Sequence, residues 1–305
     1  MIENTRTFDH ACGVILIIGI AAVCFPIYYA FIAASMPPGS ERDAAKLIPG
    51  PALFQNLEAA WINRDLGRQL FNSLIMAAGI TVGKLFVSIL SAFAIVYFRF
   101  RFRMIAFYAI FITLMLPIEV RIGPTYSVAA NILDPVISLS HVTGLNALIS
   151  MILGRDFSIS AEWSLLDSYP GLILPLIASA TGTFLFRQFF MTIPPELCEA
   201  AQLDGAGPIR FLWSILLPMS RTPLAALSVI VFIYGWNQYL WPLLITTDPA
   251  MTTALIGIAK SLPSSDAEAP WSITMAGALI VTFPPVLVVL VLQRWFVRGL
   301  VESEK

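Results

Sequence analysis

Charge is scarce in this chain. Of its 305 residues 12% are charged and 58% are hydrophobic, whereas soluble domains average about 25% charged and about 45–50% apolar. That balance excludes an ordinary soluble domain and points to an all-α, polytopic membrane protein. The formal net charge of −1 says little about partners, because the position of each charge matters more than the sum; no nucleic-acid partner is expected. Cysteine is nearly absent too. Cys12 and Cys24 lie about three turns apart on one apolar helix and cannot bridge, and Cys198 stands alone, so neither a disulfide framework nor a metal spacing is implied. The histidines, His10 and His141, are far apart and read as surface residues.

Catalytic motifs are missing as well. There is no zinc-protease motif and no Gly-x-Ser-x-Gly nucleophile elbow. The nearest approach to a nucleotide loop, Gly79-Ile80-Thr81-Val82-Gly83-Lys84-Leu85, lacks the four-residue gap and has Leu85 where a metal-binding hydroxyl is needed. Its two glycines read instead as a Gly-x-x-x-Gly surface for close helix packing. The chain is therefore expected to be no enzyme, to bind no metal or cofactor and to hydrolyse no ATP.

What the chain has is apolar runs long enough to cross a bilayer, which takes about 20 residues per helix. They fall at about 11–35, 71–98, 104–126, 170–191, 222–245 and 271–293, giving six spans after a short cytoplasmic N-terminus of residues 1–10. Six spans put both termini on one side, together with the polar interval 192–221. The cations agree with this. Ten of the 18 fall on that side: Arg6, Arg99, Arg101, Arg103, Arg187, Arg210, Arg221, Arg294, Arg298 and Lys305. The other side has Arg42, Lys46, Arg64, Arg68, Arg155 and Lys260, spread over longer loops. Positive charge in short loops stays in the cytoplasm, so the interval 192–221 is expected there. The stretch 136–154 could be mistaken for a seventh span; its polar and apolar faces favour an amphipathic helix on the outer interface.

The interval 192–221 is an elbow. Pro194-Pro195 suits a first helical turn, where missing amide donors cost nothing. Glu196 to Asp204 are good helix formers, and Gly205 can end that helix in the left-handed conformation. Pro208 permits a second start, and Pro218 is expected to close the segment.

Two groups of residues inside the spans could carry function. Lys84 falls near the centre of the second span, where a charge costs about 2.5–3.5 kcal/mol on insertion scales. Glu119 and Arg121 lie toward the outer end of the third, between Pro117 and Pro124. One reading is a structural Lys84–Glu119 pair; the other is that Lys84 and Arg121 line the path of an anionic solute. In the fifth span, Trp236-Asn237-Gln238-Tyr239-Leu240-Trp241-Pro242 places two amides in an apolar segment. Aromatic rings often mark the membrane interface, but buried amides need polar partners, and this favours pathway lining by Trp236, Asn237 and Gln238.

The elbow carries a family likeness. Glu199-Ala200-Ala201, then Asp204-Gly205, nine residues, Ile215, one residue, and Leu217-Pro218 resemble the "EAA" loop of the MetI-like permease subunits of ABC importers. The stretch from Trp236 to Pro242 is similar to the carbohydrate-importing branch. Leu116–Arg121, Phe186–Thr192, Phe232–Gln238 and Phe296–Val301 look like the permeases of sn-glycerol-3-phosphate importers. The region of about 133–165 departs from the pattern and looks like an external insertion. The resemblance implies a coupling loop that docks on a separate ATPase, with ATP and Mg on that partner. It also implies a second permease subunit, two copies of an ATP-binding subunit and a periplasmic substrate-binding protein around the lipid-embedded pore. The implied solute is sn-glycerol-3-phosphate, with a neutral sugar or polyol as the alternative.

Overall fold

The computed structural model describes residues 6–40, 47–113, 118–153, 162–178, 180–262 and 271–302. Among them the regular structure is helical. The elements are α1 (Arg6–Ser35), α2 (Leu53–Asn63), α3 (Leu66–Tyr97), α4 (Arg103–Ile112), α5 (Ile118–Ala130), α6 (Asp134–Val142), α7 (Leu145–Leu153), α8 (Tyr169–Ile177) and α9 (Ala180–Phe190). There follow α10 (Pro195–Leu203), α11 (Pro208–Phe211), a π-helical stretch Leu212–Leu216, α12 (Leu217–Met219), α13 (Arg221–Trp236), α14 (Leu240–Ile245), α15 (Ala254–Lys260) and α16 (Trp271–Glu302).

Three stretches, His10–Ser35, Leu66–Tyr97 and Trp271–Gln293, are long and apolar enough to cross a membrane, and there are up to five if two bent pairs count as one span each. One pair is α8 with α9, bent by 48°, where Ala178 is extended after Pro175 interrupts the helical bonding. The other is Pro208–Met219 with α13, bent by 79°. Of the expected third span the described residues hold α4 and α5, and the stretch 114–117 between them lies outside the described residues. The expected fifth span stops at Trp236 and resumes as α14 after Asn237–Tyr239.

The stretch expected as one amphipathic helix is two, α6 and α7, of nine residues each. Between them Gly144 has φ 69°, a left-handed conformation that ends α6. Neither piece is long enough to span.

The chain forms two units. The first takes residues up to Leu70 and Ala254–Val286. In it Asn56 closes the end of α1: its Nδ2 donates to the carbonyls of Ala34 at 2.8 Å and Met36 at 2.7 Å, groups that have no donor within the helix. Ala34, Ala60 and Ala276 are fully buried against one another, and their small side chains let α1, α2 and α16 approach closely. Most of α1 before Ile32 stays exposed, Val14, Ile15, Leu16 and Ile17 among its apolar residues.

The second unit takes Phe71–Thr253 and the chain from Leu287 onward. Its core joins Met76, Ile80 and Phe93 of α3 with Leu172, Phe186, Phe190, Leu216, Trp241 and Ile245. The glycine surface on α3 is used for packing. A methyl group at Gly79 would stand 2.5 Å from Ile173 Cδ1, and one at Gly83 would stand 2.5 Å from Ile177 Cγ2. Farther along, Gly235 of α13 faces Ala77 of α3, and a methyl there would lie 3.0 Å from the Ala77 Cα. Leu227, two turns earlier on α13, lies with Ser88 against Gly182. Rising residue numbers on α3 thus meet falling numbers on α13: the two helices pack antiparallel.

Candidate functional site

The elbow follows the local signals closely. Gly205 takes φ 71°. Its N–H donates to Gln202 O at 3.0 Å and the Ala206 N–H donates to Ala201 O at 2.8 Å, the two bonds of a Schellman stop. Pro208 then opens α11 as expected. Pro218 does not close the segment. It lies within α12, and the helix runs on to Met219. The π-helical stretch before it explains why: the Leu217 N–H reaches back to Leu212 O, and the widened turn makes room for a ring that would otherwise press on the preceding turn. Ser220 ends the run, fully buried, its hydroxyl donating to Leu216 O at 2.6 Å.

Of the elbow residues, Ala201 is buried, while Glu199, Ala200, Asp204, Gly205 and Pro218 are exposed and Ile215 and Leu217 are half-buried against the core. Ala201 lines a small cavity with Phe93, Tyr97 and Phe211, so the alanine is where α10 rests on α3. Glu199 and Gln202 border a groove of about 950 Å³ with Arg99 and Arg103. Sequence reasoning missed three further residues. Leu203, Ile209 and Trp213 are 89%, 72% and 62% exposed, which leaves the elbow with apolar side chains that nothing among the described residues covers. Their signal was present, as large apolar residues in an otherwise polar interval.

A second site lies within the helices. Lys84 is only 9% exposed, and its ammonium sits 3.8 Å from the centroid of the Tyr234 ring, a cation–π contact. The Glu119 side chain lies outside the described residues, so the Lys84–Glu119 pairing does too. Tyr234 borders a cavity of about 90 Å³ together with Arg121, Ile122, Thr125, Pro175, Leu176, Ala178 and Trp241. Lys84 and Arg121 are thereby brought to one place: Arg121 at the cavity wall, and Lys84 on the ring that forms part of that wall.

The neighbouring stretch divides. Trp236 is buried and stacks on Phe232 with centroids 5.9 Å apart. Asn237 is exposed at the end of α13, and Gln238 Nε2 donates to Tyr234 O at 3.1 Å, which braces the backbone beneath the ring. Tyr234 lies within the stretch Phe232–Gln238 that carries the family likeness, but no local signal in the sequence marks it as Lys84's partner.

A third cluster ties the segment before α8 to the loop after α14. The Asp167 carboxylate accepts from the Thr247 hydroxyl and amide, both at 2.6 Å, and from the Asp248 amide at 2.8 Å. The Thr247 hydroxyl, followed by the Asp248 amide, holds this carboxyl below the usual range, because these bonds favour the ionised form. With the folded value lowered, the stabilisation is complete above the ordinary carboxylate pKa and is lost as pH falls through the lowered value. The clasp is therefore closed at neutral pH. Deeper in, Asn72 Nδ2 donates to Ala250 O and Thr252 O, both at 2.9 Å, and Tyr169 Oη donates to Asn72 Oδ1 at 2.8 Å. Among the described residues no group of histidine, cysteine and carboxylate side chains is arranged to hold a metal ion.

A mostly helical fold with helices apolar and long enough to cross a membrane, and with a proline-started, glycine-stopped elbow, matches a known class. The chain belongs to the family of binding-protein-dependent transport system inner membrane components, which matches residues 84–302; it is a multi-pass permease subunit of an ABC importer. It is 52% identical over 312 residues, across the whole of both chains, to the sn-glycerol-3-phosphate transport system permease protein UgpE of Yersinia pestis bv. Antiqua (strain Antiqua). It is 49% identical over 313 residues, again across both, to UgpE of Agrobacterium fabrum (strain C58 / ATCC 33970). In fold it resembles a chain from the crystal structure of a bacterial ABC transporter involved in the import of the acidic polysaccharide alginate, with a TM-score of 0.70 and 21% identity over 97% of this chain and 99% of that one.

Proposed function

We propose that this chain forms one half of the membrane pore through which an ATP-driven importer brings sn-glycerol-3-phosphate into the cell. The observation that carries the reading is full-length identity of 49–52% to permeases named for that transport system. Arg121 at the wall of a cavity among the helices, with Lys84 on the Tyr234 ring that borders it, supports an anionic solute. Lys84 and Arg121 line its path, with Asn237 and Gln238 close by.

The remaining parts follow from the same reading. The chain crosses the membrane six times, with α4 and α5 in one crossing and the broken pairs α8–α9 and α13–α14 in one crossing each, and both termini are cytoplasmic. Cytoplasmic placement of the elbow rests on the excess of arginine and lysine in the short loops of that side. A second permease subunit completes the pore. Two ATP-binding subunits hold ATP and Mg and receive the elbow, whose exposed Leu203, Ile209 and Trp213 suit an apolar groove on another protein. A periplasmic binding protein delivers the solute on the other side.

Competition in a reconstituted importer tests the substrate. With the chain, its partner permease, the ATPase and the binding protein in proteoliposomes, unlabelled glycerol-3-phosphate should suppress uptake of the labelled compound at lower concentration than a glycerophosphodiester does. A neutral disaccharide should leave uptake unchanged. Stronger competition by the disaccharide would overturn the reading.

A further inference from the structure

Lys84 and Tyr234 are held together by helix packing. Because α3 and α13 pack antiparallel, with Gly235 against Ala77, the long side chains of Lys84 and Tyr234 lean toward each other, each toward the N-terminus of its own helix. The Gln238 amide braces the Tyr234 carbonyl, and the Phe232–Trp236 stack fixes the turns on either side. Among the described residues no carboxylate pairs with the Lys84 ammonium, so the ring face is its contact there. The same ring borders the cavity that Arg121 enters.

A ring quadrupole attracts a cation less strongly than a phosphoryl dianion does at the same distance, since the latter interaction is between full charges. An anion arriving beside Arg121 can therefore take Lys84 from the ring, while a neutral polyol cannot. Resting on the reading that Lys84 and Arg121 line the solute's path, we propose that Tyr234 is a positioning residue that sets specificity: its ring holds the Lys84 ammonium while the cavity is empty and yields it to the phosphoryl group of the solute. A residue that competes with the solute for a cation weakens solute binding at rest and speeds release once the solute moves on.

The test is binding of labelled glycerol-3-phosphate to the purified permease–ATPase complex without its binding protein, alongside uptake by the same complex in proteoliposomes. Tyr234→Phe keeps the ring face and should bind within about twofold of the parent. Tyr234→Leu should bind about threefold tighter or more, with a lower maximal uptake rate. In a Lys84→Met background Tyr234→Leu should change nothing. If Tyr234→Leu weakens binding, leaves it unchanged, or shifts it equally in both backgrounds, the proposal is overturned. Should Tyr234→Leu fail to assemble, fluorinated phenylalanines at position 234 preserve the volume while draining the ring face of charge. Binding should then tighten with each added fluorine, and the absence of that trend overturns the proposal. If Lys84→Met alone leaves anion binding unchanged, the underlying reading of Lys84 fails, whatever Tyr234 does.

Discussion

Lys84→Met raises the half-saturation concentration for glycerol-3-phosphate uptake on the order of tenfold while the amount of protein in the membrane holds. The size follows from losing a charged contact to the solute, worth about 1.5–3 kcal/mol, at about 1.4 kcal/mol per factor of ten. The second half of the prediction separates function from structure. A lysine near the centre of a span costs about 2.5–3.5 kcal/mol to insert, and methionine of similar length removes that cost while still filling the space over the Tyr234 ring. The variant should therefore insert at least as well as the parent. Quantifying the protein in purified membranes beside uptake kinetics checks both points. A variant that fails to accumulate would show that the lysine is structural.

Gly205→Val is expected to leave the importer assembled but to part ATP hydrolysis from transport, with uptake falling on the order of tenfold while solute-stimulated hydrolysis persists. A methyl group at Gly205 meets nothing within 4 Å, so the effect does not come from a clash. It comes from the backbone: φ 71° is costly for a β-branched residue, about 1–2 kcal/mol, and relief requires undoing the Schellman stop. That stop sets the direction in which the chain leaves α10 for α11, and with it the placement of Leu203 and Ile209 on either side. Measuring hydrolysis and uptake on one preparation decides the matter. Coupled transport at the parental ratio would show that the elbow's geometry is not what transmits the stroke.

The elbow was legible in the sequence because its signals are local. Two prolines, a run of helix formers and a glycine specify a helix and its stop within a dozen residues, with no help from the rest of the chain. Pro218 shows the limit of such reading, since only the widened turn at Leu212–Leu216 lets the helix continue through it. The apolar runs were legible as well, but their breaks were not. Hydropathy averaged over about 20 residues passes smoothly across Ala178 and Asn237–Tyr239, where the backbone leaves the helix. Lys84 stood out as a charge in an apolar run, yet its contact with Tyr234 is set by the register of α3 against α13. That register depends on Gly235 meeting Ala77, across a long separation in sequence. Trp236 suited a polar pathway by composition, whereas the packing of α13 buries it on Phe232.

Uptake by proteoliposomes containing this chain, its partner permease, the ATPase and the binding protein tests the central claim most directly. Labelled glycerol-3-phosphate should accumulate above its external concentration when hydrolysable ATP is supplied to the ATPase, and should stop when a non-hydrolysable analogue replaces it. Accumulation sustained by an ion gradient without ATP would contradict the account.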